Sequence, residues 1–172
     1  MEPRMRTLNA RFVAAPPARA RDLVAQVERW PEWLSHYRWV RRLDGAAGGP
    51  GVVDMAAVRP FGRLRYPVWW RSRMWLEDEP VPSLRFRHIG GVTTGMDVAW
   101  RFHPRPGGCR VEILHEWDDG PRWPLPRALR QAIARLVIGP IFVHAIAERT
   151  LAGLARVVEA SCAASPSPAS GV

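Results

Sequence analysis

The chain has 172 residues, 47% of which are hydrophobic, and a formal net charge of +9. This length fits one globular domain, and two cysteines are too few for a disulfide framework. The sequence contains no run of about eighteen apolar residues. It also lacks the apolar core of a signal peptide. We therefore expect a cytoplasmic protein without a membrane span.

The positive charge is carried by Arg alone, because the chain contains no Lys. Such an excess favours an anionic partner, for example an acidic acyl carrier protein or a nucleic acid. The arginines are scattered rather than gathered in one block, which weakens the nucleic-acid interpretation. A GC-rich genome would also produce an Arg-rich chain without Lys, so the charge alone does not select a partner.

The predicted elements begin with a strand, two short helices and a series of further strands. Residues 6–14 alternate as the first strand, and the prolines at 16–17 stand where a helix begins. Pro31 ends that helix and starts a second, short helix through WPEWLSHY. Strand-like segments separated by Pro- and Gly-rich turns then occupy residues 38–117, which predicts one antiparallel sheet.

A helical pattern extends from Pro126 to about Ala160, and Gly139 and Pro140 should kink or split it. The Pro-rich remainder, residues 161–172, is predicted to be a disordered tail, so residues 1–160 form the single domain. A sheet and one long helix must bury an apolar face against each other. The predicted class is therefore α+β, with a cavity if the sheet curves strongly around the helix.

Alternation along the strands sorts the side chains into two faces, and the inward face is rich in Trp. Polar groups interrupt this apolar face at Ser72, His88 and His115, and His144 adds an imidazole from the long helix. An apolar pocket with a few convergent polar groups is the usual form of a small-molecule site. The same residues also fit a hydrophobic core without a ligand site, in which each His forms a hydrogen bond with a neighbouring carbonyl.

No metal and no cofactor are predicted. The histidines show no HxH or HxxxH spacing that would suit zinc, and His36 and His103 are interpreted as surface or loop residues. The chain contains no GxGxxG, P-loop, GxSxG or CxxC motif. Cys109 has no identifiable activating partner, and no Ser-His-Asp triad can be composed.

The segment RFVAAPPARARDLVAQVERWPEWLSHYRWVRRLDG resembles the N-terminal part of START-like (SRPBCC) proteins. The resemblance continues through WWRS at 69–72, MDVAWRF at 96–102 and the closing helix, and it covers residues 6–160. Within this superfamily the chain is most similar to bacterial polyketide aromatase/cyclases. The resemblance implies a START-like/Bet v 1-like helix-grip fold, in which a curved antiparallel sheet wraps around the long C-terminal helix and leaves an interior cavity.

The resemblance also implies roles for individual residues. Tyr37 takes the place of a cavity hydroxyl that donates a proton, Ser72 that of a positioning hydroxyl, and His88 that of the proton-transfer group. Met74 stands where the aromatase/cyclases carry a cavity Arg. The expected substrate contacts are Trp33, Trp70, Met74, Phe86, Trp100, His115 and His144.

Three functions fit this resemblance. The first is a polyketide cyclase that directs aldol cyclisation and dehydration of a poly-β-ketone bound to an acyl carrier protein. The second is a non-catalytic carrier of a quinone, a lipid or a polyketide, which Met74 favours because it makes the cavity more apolar. The third is a basic module that binds a ribosome or another protein. Both a monomer and a homodimer suit the sequence, since the outward Trp69 and Trp75 could form a dimer surface.

Overall fold

The computed structural model describes residues 4–61 and 64–164. Seven strands form one antiparallel sheet in the order β1-β7-β6-β5-β4-β3-β2, so that β2 to β7 form a meander and β1 closes against β7. The strands are β1 (Met5–Val13), β2 (Tyr37–Arg42), β3 (Gly51–Phe61), β4 (Leu64–Glu77), β5 (Ser83–Gly91), β6 (Met96–Arg105) and β7 (Gly108–Trp117).

Two short helices connect β1 to β2, as predicted. These are α1 (Pro17–Val24) and α2 (Trp30–Trp33), joined by a 3-10 turn at Val27–Arg29. Pro17 and Pro31 each stand in a first turn, where the missing amide of proline costs nothing because those amides have no partner within the helix. The chain thus enters β2 at Tyr37, directly after α2.

After β7 the chain is helical from residue 127 to residue 163. It forms α3 (Arg127–Ile133), a π-helical segment (Ala134–Val143) and α4 (His144–Ala163). The irregularity predicted at Pro140 takes the form of this π-helical segment. Proline has no amide donor and its ring crowds the preceding turn, and the wider π turn accommodates both. α4 continues past the predicted boundary at 160, and residues 165–172 of the predicted tail lie outside the described residues.

The helix-grip architecture is confirmed, because α4 lies across the sheet and contacts β1, α1 and α2. The inward faces of the strands follow the predicted alternation, and most of their side chains are buried. The buried members are Trp70, Ser72, Met74, Leu84, Phe86, His88, Met96, Val98, Trp100, Phe102, Cys109, Val111, Ile113 and Trp117.

The helical run from Arg127 to Ala163 is long and apolar enough to cross a bilayer, judged by length and composition alone. Eight residues of α4 are nevertheless buried within the fold, as expected for the closing helix of this architecture. Several apolar side chains of the preceding segments are exposed instead. These are Leu129, Leu136, Val137 and Ile141.

A β-bulge in β5 lies beside the centre of β4. Arg71 pairs with Gly90, whereas Ser72 pairs with His88, so Ile89 is the extra residue. Bulges are common next to functional sites because they redirect neighbouring side chains. Here the bulge leaves the imidazole of His88 buried on the inner face while Ile89 is exposed.

Candidate functional site

A cavity of about 80 Å³ lies between the inner face of the sheet and the helices. Its wall is mostly aromatic and apolar. Six of the ten predicted site residues line it, namely Tyr37, Trp70, Phe86, His88, Trp100 and His115.

The indole of Trp70 is a neighbour of two of the predicted catalytic groups. Its ring centroid is 6.0 Å from that of His88, with an angle of 26° between the planes, so the two rings stack. Tyr37 approaches the same indole edge-on, also with 6.0 Å between the centroids. A phenol and an imidazole therefore both adjoin one indole on the wall of an apolar cavity, which suits an aromatic ligand.

Thr93 holds the imidazole of His88 and is a cavity residue that the sequence analysis missed. Its Oγ1 lies 2.7 Å from Nδ1 of His88, within hydrogen-bond distance. The turn that carries Thr93 is itself closed by a bond from the amide of Gly95 to the carbonyl oxygen of His88, at 2.8 Å. The signal was present in the sequence as a Thr pair between glycines, GGVTTG, directly after the strand that carries His88.

Glycine at position 91 allows this turn to lie close to β4. Gly91 has a φ of 84°, which favours glycine, and a Cβ there would lie 2.2 Å from the backbone oxygen of Trp69. Gly91 also pairs with Trp70. A side chain at this position would push the turn, and Thr93 with it, away from the cavity.

Trp30, rather than the predicted Trp33, belongs to the cavity wall. The Trp30 ring centroid lies 5.2 Å from that of Tyr37 and 5.8 Å from that of Trp100, and its Nε1 donates to the carbonyl oxygen of Val24 at 2.9 Å.

Trp33 does not line the cavity. It lies at the opposite end of α2, where the guanidinium of Arg29 is 4.8 Å from its ring.

Ser72 and Met74 face inward, as predicted, but they lie beneath the cavity wall rather than in it. Ser72 is fully buried, and its Oγ forms no hydrogen bond with the part of the chain that is described. Met74 is 1% exposed and pairs with Gly51 and Phe86 on the neighbouring strands. Ser72, the predicted positioning hydroxyl, and Met74, a predicted substrate contact, therefore do not line the cavity.

His144 lies outside the cavity, contrary to its predicted role. It is exposed at the start of α4, and its Nδ1 accepts from Nδ2 of Asn9 at 3.0 Å. The prediction placed His144 on the apolar stripe of a helix that Gly139 and Pro140 kink or split. The later members of that stripe, Ala147, Leu151, Leu154 and Val158, are buried, so His144 lies at its exposed N-terminal end.

His36 is buried, so its interpretation as a surface residue was wrong. It is 7% exposed, and its Nε2 lies 3.0 Å from Oγ1 of Thr150, which lines the cavity from α4. His103 is half-exposed and lies 3.1 Å from a carboxylate oxygen of Glu112, in agreement with its predicted surface location.

Two further spaces adjoin the cavity. The outer groove is apolar, has a volume of about 330 Å³, and shares Trp70, Thr93 and Val143 with the cavity wall. The arginine groove has a volume of about 420 Å³ and lies on the other side of His36. It is defined by Trp33, Leu34, Ser35, His36, Val58, Arg65, Arg149, Ala152, Gly153 and Arg156.

No group of His, Cys, Asp and Glu side chains within residues 4–61 and 64–164 is arranged to hold a metal ion.

Cys109 is fully buried on β7, and burial raises the pKa of its thiol to about 11. A thiol with such a pKa is almost entirely protonated at neutral pH and is a poor nucleophile. The polar chemistry of the cavity therefore rests on Tyr37, His88, Thr93, His115 and Thr150.

The family described as polyketide cyclase/dehydrase and lipid transport matches residues 13–141 of the chain. The chain belongs to this family. No curated protein matches it in sequence. Membership of the family agrees with a cavity for a small hydrophobic ligand, which the aromatic wall provides.

Solved structures share the fold at low sequence identity. The protein TTHA0849 from Thermus thermophilus is 22% identical, with a TM-score of 0.69 over 92% of this chain and 99% of that chain. The Zhui aromatase/cyclase from Streptomyces sp. R1128 is 17% identical, with a TM-score of 0.63 over 99% of this chain and 100% of that chain. A START superfamily protein from Mycobacterium smegmatis is 17% identical, with a TM-score of 0.61 over 91% and 95% of the two chains.

Proposed function

We propose that this member of the family is a polyketide cyclase, which directs aldol cyclisation and dehydration of a carrier-bound poly-β-ketone. The proposal depends on one observation, the placement of Tyr37 and His88 on the wall of one apolar cavity, each next to Trp70. A proton donor and a proton-transfer group that both adjoin an indole suit a reaction whose product is a flat ring.

The proposed chemistry uses groups that the cavity already contains. A methylene between two carbonyls is acidic, and His88 takes its proton. The enolate carbon then bonds to a second carbonyl carbon, whose π electrons move onto its oxygen, and Tyr37 donates a proton to that oxygen. Loss of the hydroxyl with a neighbouring proton, as water, followed by enolisation yields the phenolic ring without an oxidant. The main contribution of the protein is the fold that it imposes on the chain.

In this proposal, different parts of the substrate occupy different spaces. Small-molecule sites usually have volumes of about 300–1,000 Å³, so the cavity of about 80 Å³ holds only the part of the chain that closes. The outer groove, with about 330 Å³ and an apolar lining, receives the rest. Trp70 and Thr93 line both spaces and form the boundary that the substrate crosses.

The experiment combines the purified protein with a minimal polyketide synthase that releases a reactive poly-β-ketone, and it identifies the products by mass spectrometry and NMR. We expect a ring pattern that differs from the spontaneous mixture and that Tyr37→Phe and His88→Asn each abolish. His103→Asn is the matched control, because this half-exposed imidazole lies on the outer face of the sheet. Spontaneous products with the wild-type protein would contradict the proposal.

A second candidate function is a non-catalytic carrier of a hydrophobic ligand. Two observations favour it: the outer groove is lined mainly by apolar side chains, and Met74 fills the core where the aromatase/cyclases have Arg. Native mass spectrometry of the freshly purified protein tests this function directly. A co-purified quinone or lipid, together with unchanged polyketide products, would establish the carrier function.

A further inference from the structure

The arginine groove carries three positive charges that have no acidic partner among the described residues. Arg65, Arg149 and Arg156 line it, and none of them forms an ion pair with a carboxylate in the described ranges 4–61 and 64–164. Other arginines of the chain do find such partners, for example Arg71, whose Nε lies 2.6 Å from Oδ1 of Asp54. No Asp or Glu lines the groove, so its potential is positive.

The positions of these arginines follow from the helix. Arg149 and Arg156 are seven residues apart on α4, which places them on one face about 10 Å apart along the axis. Between them, Ala152 and Gly153 leave an open floor. Glycine leaves room there for Leu34, since a Cβ at position 153 would lie 2.3 Å from its Cδ2. Arg65 adds the third charge from β4.

The groove also contains an apolar face and adjoins the cavity. The indole of Trp33 forms part of its wall, and His36 forms another part. His36 contacts Thr150, which lines the cavity, at 3.0 Å between Nε2 and Oγ1. This contact forms the boundary between the two spaces, so a molecule in the groove lies one pair of side chains away from the proposed reaction site.

We infer that the arginine groove binds the phosphate of a 4′-phosphopantetheine arm, the arm through which a thioester substrate is presented. This inference rests on the proposed function, since a carrier-bound poly-β-ketone arrives on such an arm. The phosphodiester is permanently charged, and guanidinium groups bind phosphate oxygens through paired, charge-assisted hydrogen bonds. The uncharged pantetheine portion would pack against Trp33 and extend towards the contact between His36 and Thr150.

The test compares the binding of 4′-phosphopantetheine and of pantetheine, which lacks the phosphate, by isothermal titration calorimetry. We expect the phosphorylated compound to bind at least about tenfold more tightly, since hydrogen bonds to charged groups are stronger than those between neutral groups. Arg149→Gln combined with Arg156→Gln should remove this preference. The matched control is Arg105→Gln combined with Arg122→Gln, which removes the same charge from two exposed positions outside the groove.

Several results would overturn the inference. These are equal binding of the two compounds, equal losses in the groove variant and the control, and tighter binding of single-stranded RNA than of 4′-phosphopantetheine at the same salt concentration. Arg65→Gln gives a second variant on a different element, should the helix variant unfold. Coenzyme A and a holo carrier protein, each compared in wild type and groove variant, distinguish the two sources of the arm.

The calorimetric titration does not depend on cyclisation. The proposed cyclase function and the inference about the arginine groove are therefore tested independently. Absence of a phosphate preference overturns the inference about the groove alone. A phosphate preference together with spontaneous products in the cyclisation assay overturns the proposed cyclase and leaves a protein that binds the arm without closing the ring.

Discussion

Nδ1 of His88 lies 2.7 Å from Oγ1 of Thr93, across the turn that joins β5 to β6. This contact connects a buried imidazole on the sheet to a residue that borders both the cavity and the outer groove. It determines the orientation of the ring, and through it the direction in which the proposed proton-transfer group faces.

Thr93→Val removes this hydrogen bond while it preserves the shape of the side chain. We expect the rate of cyclised product formation to fall by up to about tenfold, because such a bond contributes about 0.5–1.5 kcal/mol. The ¹⁵N chemical shifts of the His88 ring should change as well. Thr94→Val is the control, since the hydroxyl of Thr94 bonds to the backbone oxygen of Gly91 within the same turn. Equal effects of the two substitutions would show that the turn matters and the imidazole contact does not.

Trp70→Leu should lower the free energy of unfolding by about 3 kcal/mol, because it removes a large buried ring and leaves a cavity. It should also weaken binding of flat aromatic ligands, since the surface between Tyr37 and His88 is lost. Trp69→Leu on the same strand is the control, as Trp69 is 39% exposed and faces outward. Urea denaturation and ligand titration measure the two effects, and a loss of stability in Trp69→Leu as large as in Trp70→Leu would contradict the assignment of faces.

Gly153→Ala should destabilise the protein by about 1–3 kcal/mol, because the new methyl group meets the side chain of Leu34. Leu34 is 3% exposed and has little room to move. Leu34→Ala should remove the clash, so the double variant should be more stable than the sum of the two single losses implies. If the losses of unfolding free energy measured by urea denaturation are strictly additive, the methyl group at position 153 does not clash with Leu34.

The thiol of Cys109 should make stability depend on pH in the alkaline range. Burial raises its pKa to about 11 from an ordinary value of 9.0, so the thiol of the unfolded chain ionises first as the pH rises. Its contribution to stability is therefore complete below pH 9 and is lost as the pH approaches 11. The difference in unfolding free energy between wild type and Cys109→Ala should shrink between about pH 9 and about pH 11. A difference that stays constant with pH would refute the prediction.

Part of the candidate site follows from local patterns. Alternation along β4 and β5 places Trp70 and His88 on the inner face, because successive side chains of a strand point to opposite sides whatever lies above them. Tyr37 was placed in the cavity by resemblance, and it lines the cavity. Thr93 was missed because strand periodicity does not extend into a turn.

Whether an inward-facing side chain reaches the cavity depends on contacts between residues that are far apart in the sequence. No local pattern encodes such contacts. Ser72 has the same alternation as Trp70 and is fully buried, yet it does not line the cavity. His36 is buried through Thr150, a residue 114 positions away in the chain.

The sequence by itself determined the elements, their order and the side of the sheet that each side chain occupies, since these depend on interactions between near neighbours along the chain. Only the tertiary structure decided which residues surround the cavity. The packing of α4 brings Thr150, and not His144, to the cavity. The same packing leaves Arg149 and Arg156 along one groove. Such placements depend on the packing of one helix against seven strands, which arises only when the whole chain has folded.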